Sequence, residues 1–295
     1  MELTWPVTKP VSSLKRFLTQ QGISHRVFSD LKTAGTISVN GQSATAAVDL
    51  QVGDQVTIGL PAEESDPTVA ASDGPIQVLF ENRDWLIIDK PAGLNVVPGP
   101  ANREDTLVNR IKGHWVAAGS TDLRPHIVTR LDRFTSGVVW VARHRLANSL
   151  ASQLQADHLV HKSYLAVAAG SLDKDHDVID LPLASDPGGY NQMVSPDGRR
   201  AITEYWVTAR FATATVVRVQ LHTGRTHQIR AHFAALDHPL IGDALYGGPE
   251  LGGLTRQALH AQKLTFTDPF DQTAREFVSP LPADLSRLLT TLQAN

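Results

Sequence analysis

No cysteine occurs among the 295 residues, which excludes disulfide frameworks, thiolate zinc sites and a cysteine nucleophile, and suits a reducing compartment. Apolar runs of membrane-spanning length are also missing: a stretch such as Gly137 to Ala142 ends at a charge. The opening MELTWPVTKP has neither the basic patch nor the continuous apolar run of a secretory signal. A cytoplasmic chain with no membrane attachment is the expectation. An excess of basic residues is lacking too, since the formal charge is −3, and phosphate-binding proteins usually carry more Lys and Arg than acids.

What is present is enough apolar material, 42% of the chain, for a full core in about one to two domains. The charge is also unevenly placed. Between Arg199 and Phe233 six arginines face the single acid Glu204, whereas Glu63, Glu64, Asp66 and Asp73 crowd a segment with no basic residue. Localised basic character around polar motifs fits a nucleic-acid partner better than the net charge does.

Along the chain, VSSLKRFLTQQG and SHRVFSDLKTAG read as helices, and ISVNGQSA reads as a hairpin turning at Asn40-Gly41, so residues 1–60 form a small helix-helix-hairpin unit. Residues 61–75, rich in Pro, Asp, Ser and Ala without apolar periodicity, read as an acidic flexible linker. Over residues 76–295, strand patterns (VVWVAR, YLAVAAG, TEYWVTAR, TVVRVQL) alternate with helical ones (ANSLASQLQ, THQIRAHFAAL). That mixture, with no internal repeat, predicts an α+β domain on a mixed, largely antiparallel central sheet.

Three segments carry chemistry. In Val128-Thr129-Arg130-Leu131-Asp132-Arg133-Phe134-Thr135-Ser136-Gly137, a carboxylate between two arginines precedes an apolar strand; the cations favour its ionised form, and the small residues aim it as a base or nucleophile. In Leu221-His222-Thr223-Gly224-Arg225-Thr226-His227-Gln228-Ile229-Arg230-Ala231-His232, a strand ends, Gly224 permits a turn, and Thr226 is placed to cap a helix. The polar groups gathered at that helix start suit a phosphate or carboxylate. A metal site at His222, His227 and His232 is disfavoured, because five-residue spacing holds no single helical face and no carboxylate joins them. In His161-Lys162-Ser163-Tyr164-Leu165-Ala166-Val167, alternation places Lys162, Tyr164 and Ala166 on one face of a strand.

Taken in order, DKPAGLNVVPGP, TRLDRFTSGVVWVAR, HKSYLAVAAG, LHTGRTHQIRAHFAALDHPLIGDALYGG and ALHAQKLTF closely resemble the RluA-type pseudouridine synthases, and residues 1–60 resemble the small RNA-binding module, named after a ribosomal small-subunit protein, that is fused to many RNA-modifying enzymes. The resemblance implies isomerisation of uridine to pseudouridine in structured RNA, in large-subunit ribosomal RNA or transfer RNA. Nothing is oxidised or reduced, so no cofactor and no metal are expected. Asp132 takes the place of the family's catalytic aspartate, Tyr164 of its tyrosine, and Arg225 of the basic partner of the aspartate. Arg130 matches the arginine that fills the space a flipped base leaves. Arg133, Thr135, His227, Gln228 and Arg230 are expected RNA contacts alongside it. One departure stands out: the family usually has His where this chain has Thr129. The competing reading, a non-catalytic RNA-binding or ribosome-assembly factor on the same fold, has no need of Asp132, Tyr164 and Arg225 together, and a carboxylate–histidine hydrolase would need a metal or a sugar pocket. A monomer is expected, since no apolar segment is left over.

Overall fold

In a computed structural model, which describes residues 1–63, 65–100 and 102–294, the chain forms three sheets, of four, ten and two strands, and six α-helices among the described residues. The first unit contains β1 (Glu2–Pro6), α1 (Leu14–Gln20), α2 (His25–Ala34), β2 (Thr36–Val39), β3 (Gln42–Ser43) and β4 (Gln55–Gly59), with strand order β1-β4-β2-β3. Ser13 and Ser24 cap the two helices, their hydroxyls accepting from Arg16 N and Val27 N. The β2–β3 hairpin turns at Asn40 and Gly41, both with positive φ (52° and 78°), as a two-residue turn requires. The expected helix-helix-hairpin therefore lies within a four-stranded sheet. The additions are β4 and β1; on β1, Leu3 is buried against α1 and α2 and Trp5, on the same face, packs half-buried on the same core.

The larger unit runs β5 (Gln77–Glu81), β6 (Trp85–Lys90), α3 (Leu107–Ala117), β7 (His126–Ile127), β8 (Ser136–Ala142), α4 (Arg145–Ala156), β9 (His161–Ala169), β10 (His176–Asp180), β11 (Leu183–Ser185), β12 (Gln192–Val194), β13 (Ile202–Arg210), β14 (Ala214–Leu221), α5 (Gln228–Ala235), β15 (Leu259–Thr267), β16 (Ala274–Val278) and α6 (Ala283–Ala294). Strands β11 and β12 form the two-stranded sheet, and the ten-stranded one has the order β10-β13-β14-β9-β15-β8-β6-β5, with β7 on β8 and β16 on β15. All pairings in it are antiparallel except β15 with β8. That parallel contact is close: a Cβ on Gly137 (φ 116°) would lie 2.2 Å from Ala261 O, so only glycine fits there.

Alternation along β9 sorts the two faces. Tyr164, Ala166 and Ala168 join the core under α5, with Val217, Val219 and Phe233, while Leu165 and Val167 face the core under α6. Strand β8, buried on every residue, joins Trp140 to the aromatic cluster of Trp85 and Phe266 on one face and sends Val139 and Val141 against α3 on the other.

The segment read as a flexible linker is pinned to the larger unit. Glu63 accepts from Arg145 N (2.7 Å) and meets His126 Nε2 (3.0 Å), Lys112 Nζ donates to Val69 O, and Asn109 Nδ2 donates to Ala70 O (2.8 Å). Glu64 lies outside the described residues. The small unit docks on α4, where Leu146 enters the core formed by Leu14, Leu18 and Leu31 and Arg145 pairs with Asp30. No described helix is long and apolar enough to cross a membrane.

Candidate active site

Asp132 sits on the loop between β7 and β8, at the mouth of a groove of about 480 Å³ that also takes in Lys162, Tyr164, Arg130 and Arg225. The loop is a tight turn in which Thr135 N donates to Asp132 O (3.1 Å). Opposite it, β14 ends at Leu221 and α5 begins at Gln228. The helix does not start as the pattern predicts. Its cap is His227 rather than Thr226, in the left-handed region (φ 50°), and that turn rotates Arg230 into the interior.

Arg230 is the group that meets the carboxylate. Its Nη1 donates to Asp132 Oδ2 (3.1 Å), while Nε and Nη2 make a two-pronged contact with Asp243 (2.7 and 2.8 Å). The expected partner, Arg225, is exposed and donates through Nε to Arg200 O (3.0 Å). The exchange follows from helix geometry, because Arg225 precedes the left-handed turn and Arg230 lies within the first turn of α5. Asp243 is 1% exposed, so the guanidinium is held by a carboxylate that water hardly reaches. Tyr246 adds to the support: the Arg230 guanidinium lies 5.0 Å from its ring centre, and its hydroxyl meets His227 Nδ1 at 3.2 Å.

Tyr164 emerges from the centre of β9 into the same groove, with Lys162 on the same face, as the alternation predicts. Burial pushes the tyrosine hydroxyl well above its ordinary value and the Asp132 charge pushes it further, so it stays a neutral phenol. Burial likewise lowers the Lys162 ammonium. His227, with Nε2 at 4.0 Å from Asp132, is pushed down by burial against the pull of Asp132, which favours neutral imidazole.

The remaining expected residues divide. Arg130 and Arg133 are exposed at the groove, Arg133 donating to Gly93 O and lying over the Phe134 ring. Gln228 and Thr135 are 2% exposed and face inward. The Gln228 amide bonds Thr223, Arg225 N, Ile202 O and Thr203, tying the loop before α5 to β13, and Thr135 Oγ1 accepts from Gln257. The contacts the structure gives these two are with the protein's own loops and strands, at the inner wall of the site. Thr129 is also buried, its hydroxyl accepting from Trp140 N (2.8 Å), which fixes the start of the Asp132 loop to β8. His222, His227 and His232 go to different partners: Glu204; Tyr246 and Asp132; and Thr203 with Leu181 O.

Sequence reasoning missed Lys90, Asp243 and Tyr246. Lys90, fully buried at the end of β6, donates to Pro91 O, Leu94 O and Arg133 O at 2.8–3.1 Å and so holds the loop from behind. All three lie inside the quoted DKPAG and GDALYGG motifs, so the signal was present without a role attached.

The family described as RNA pseudouridylate synthase matches residues 84–235, which include Asp132, Tyr164, Arg225 and Arg230. The chain belongs to this family. YjbO of Bacillus subtilis, named as an uncharacterized RNA pseudouridine synthase, is 37% identical over 94% of this chain and 98% of its own length. Ribosomal large subunit pseudouridine synthase D of Xanthomonas campestris is 38% identical over 88% of this chain and 82% of its own. Among solved structures, human RNA pseudouridylate synthase domain containing 4 shares the fold with a TM-score of 0.62 at 22% identity, over 74% of this chain and 93% of that one. The chain is therefore an RNA pseudouridine synthase, and the sheet, loop and helix described above are this family's fold.

Proposed function

We propose that Asp132 is the carboxylate that acts on the ribose of a uridine flipped out of RNA into the groove, with Tyr164 against the uracil and Arg230 fixing the carboxylate. The observation that carries this reading is the Arg230 guanidinium shared between Asp132 and the buried Asp243, with Tyr164 opening into the same groove. In the reaction the bond from ribose C1′ to uracil N1 breaks, the base turns in place, C1′ joins ring carbon five, the proton on carbon five leaves and N1 gains one. Glycosidic cleavage develops positive charge on the sugar, which a carboxylate beside it stabilises, either by adding to C1′ or by removing a ribose proton. The Tyr164 hydroxyl, held neutral, is suited to donating or relaying a proton at the base, and its ring to stacking beneath it. A base within a helix is out of reach of such a groove, so flipping is required. Arg130, Arg133 and Arg225, exposed around the mouth, are suited to phosphates.

The substrate in this reading is large-subunit ribosomal RNA, supported by the named activity of the Xanthomonas relative, and the protein acts as a cytoplasmic monomer whose residues 1–60 add RNA affinity. Mapping pseudouridine at single-nucleotide resolution in total RNA tests it. Sites lost both in cells lacking the protein and in cells carrying Asp132→Asn, and restored by the unaltered protein, are the expected result; an unchanged map would overturn it.

A further inference from the structure

The three loop residues after Asp132, and Ser136 at the start of β8, are each gripped from behind by buried side chains. Lys90 Nζ donates to Arg133 O (3.1 Å), Arg256 Nη1 to Phe134 O (3.1 Å) and Gln257 Nε2 to Thr135 Oγ1 (3.3 Å), and Ser136 Oγ meets His260 Nδ1 (3.0 Å). These four gripping side chains are between 0% and 8% exposed. Three of them come from the stretch Arg256–His260, which leads into β15, the strand parallel to β8. Arg256 is itself oriented from further away: its Nε and Nη2 make a two-pronged bond to Asp284 (2.6 and 2.9 Å) in the first turn of α6. Asp284 also accepts from Leu285 N (2.8 Å), so the start of the helix and the loop are tied through one guanidinium.

We propose that Arg256, oriented by Asp284, is a positioning residue for the reaction: it fixes the Phe134 carbonyl and thereby the placement of Asp132 against the ribose. The side chain lies behind the loop and does not line the groove of Asp132 and Tyr164; besides Phe134 O its Nη1 donates to Gln257 O (3.2 Å) and Leu259 O (3.4 Å), so it ties the loop to the start of β15. A planar guanidinium suits the task, since one edge can bind a carboxylate with two parallel bonds while the remaining nitrogen donates to carbonyls. Loss of that grip leaves the loop attached at its neighbours but free to shift, and small misplacements of a catalytic group are expensive in rate.

The proposal rests on the family activity, and the experiment keeps the two apart. RNA from cells lacking the protein, labelled with tritium at uridine carbon five, releases tritium when pseudouridine forms. Failure of the unaltered protein to release it would count against the proposed substrate reading. With the unaltered protein active, Arg256→Gln should lower the single-turnover rate at saturating enzyme by about tenfold or more, with Kd for the same RNA within about twofold. Arg256→Lys, which keeps one donor for Phe134 O, should recover part of that rate. Asp284→Asn should lower the rate less, again with Kd unchanged. A merely structural role would give parallel changes in rate and Kd, or no advantage of Lys over Gln, and either result overturns the proposal. Should Arg256→Gln fail to fold, Asp284→Asn decides: a lowered rate at unchanged Kd supports the proposal, and an unchanged rate overturns it.

Discussion

Arg230 divides one guanidinium between two aspartates, giving Asp132 a single bond at 3.1 Å and Asp243 a two-pronged one at 2.7 and 2.8 Å. The two acids differ in exposure, 25% for Asp132 against 1% for Asp243, so the buried one anchors the cation and the accessible one is presented to the groove. An exposed arginine would be free to follow phosphate instead. Burial of the pair is thus what keeps the charge facing Asp132 in place before RNA arrives.

Replacing Arg230 by Met removes that charge and strands Asp243. Breaking a buried pair from one side costs about 3–5 kcal/mol, so urea unfolding should show a loss in that range together with near-complete loss of turnover. Arg225→Ala should behave differently. It should keep most of the turnover number, weaken RNA binding, and lower the slope of log K against log salt by about 0.7 for a lost single-strand phosphate contact. Equal losses of turnover in the two variants would contradict this division.

Tyr164 offers a second separation. Burial and the nearby Asp132 charge push its hydroxyl well above its ordinary value, which favours the phenol over the phenolate. Tyr164→Phe keeps the ring for stacking and removes the proton, and should reduce turnover by about 10²-fold or more with RNA affinity little changed. The rate of the unaltered protein should show no rise with pH that disappears in Tyr164→Phe, and finding one would assign the phenolate a role.

Much of this architecture was legible in the chain because period and motif agree. The alternation that put Lys162 and Tyr164 on one face of β9 is what the sheet shows, and the RLD segment marked its loop. Direction was harder to read than type. Gln228 and Thr135 look like RNA ligands by residue type, yet both point inward, and the resemblance gave Arg225 as the partner of Asp132, whereas with the left-handed His227 starting α5 it is Arg230 that meets the carboxylate. The hydrogen bonds by which residues 61–75 meet the larger unit, through the Glu63 side chain and the Ala70 carbonyl, leave no mark in composition. Lys90 and Arg256 act on backbone carbonyls far away in sequence, which no local pattern encodes.

The docking of the small unit is open to a direct test at Leu146, which is fully buried among Leu14, Leu18 and Leu31 although it belongs to α4. Leu146→Ala should cost about 2–5 kcal/mol and speed amide exchange in α1 and α2, with little change in the strands around Tyr164. Unchanged exchange in those helices would show that the unit's core does not depend on α4.

Lys90 predicts a pH dependence of stability. Burial pushes its ammonium down from 10.5 to about 7, with the neighbouring Asp132 and Asp89 charges opposing and the Arg256 charge assisting. In the window from about 7 to 10.5 the unfolded chain therefore holds a proton that the folded one has released. More protons on the unfolded state mean that stability rises with pH there, by at most about 1.4 kcal/mol per pH unit from this group. Below the window both states are protonated and the folded state bears the whole cost of the buried charge. Lys90→Met abolishes the titration, so its stability curve should lack that rise, although the three abandoned carbonyls make it less stable throughout. Urea unfolding across about pH 6 to 10 reads the two slopes, and identical slopes would mean that Lys90 keeps its proton in the folded protein over the whole range.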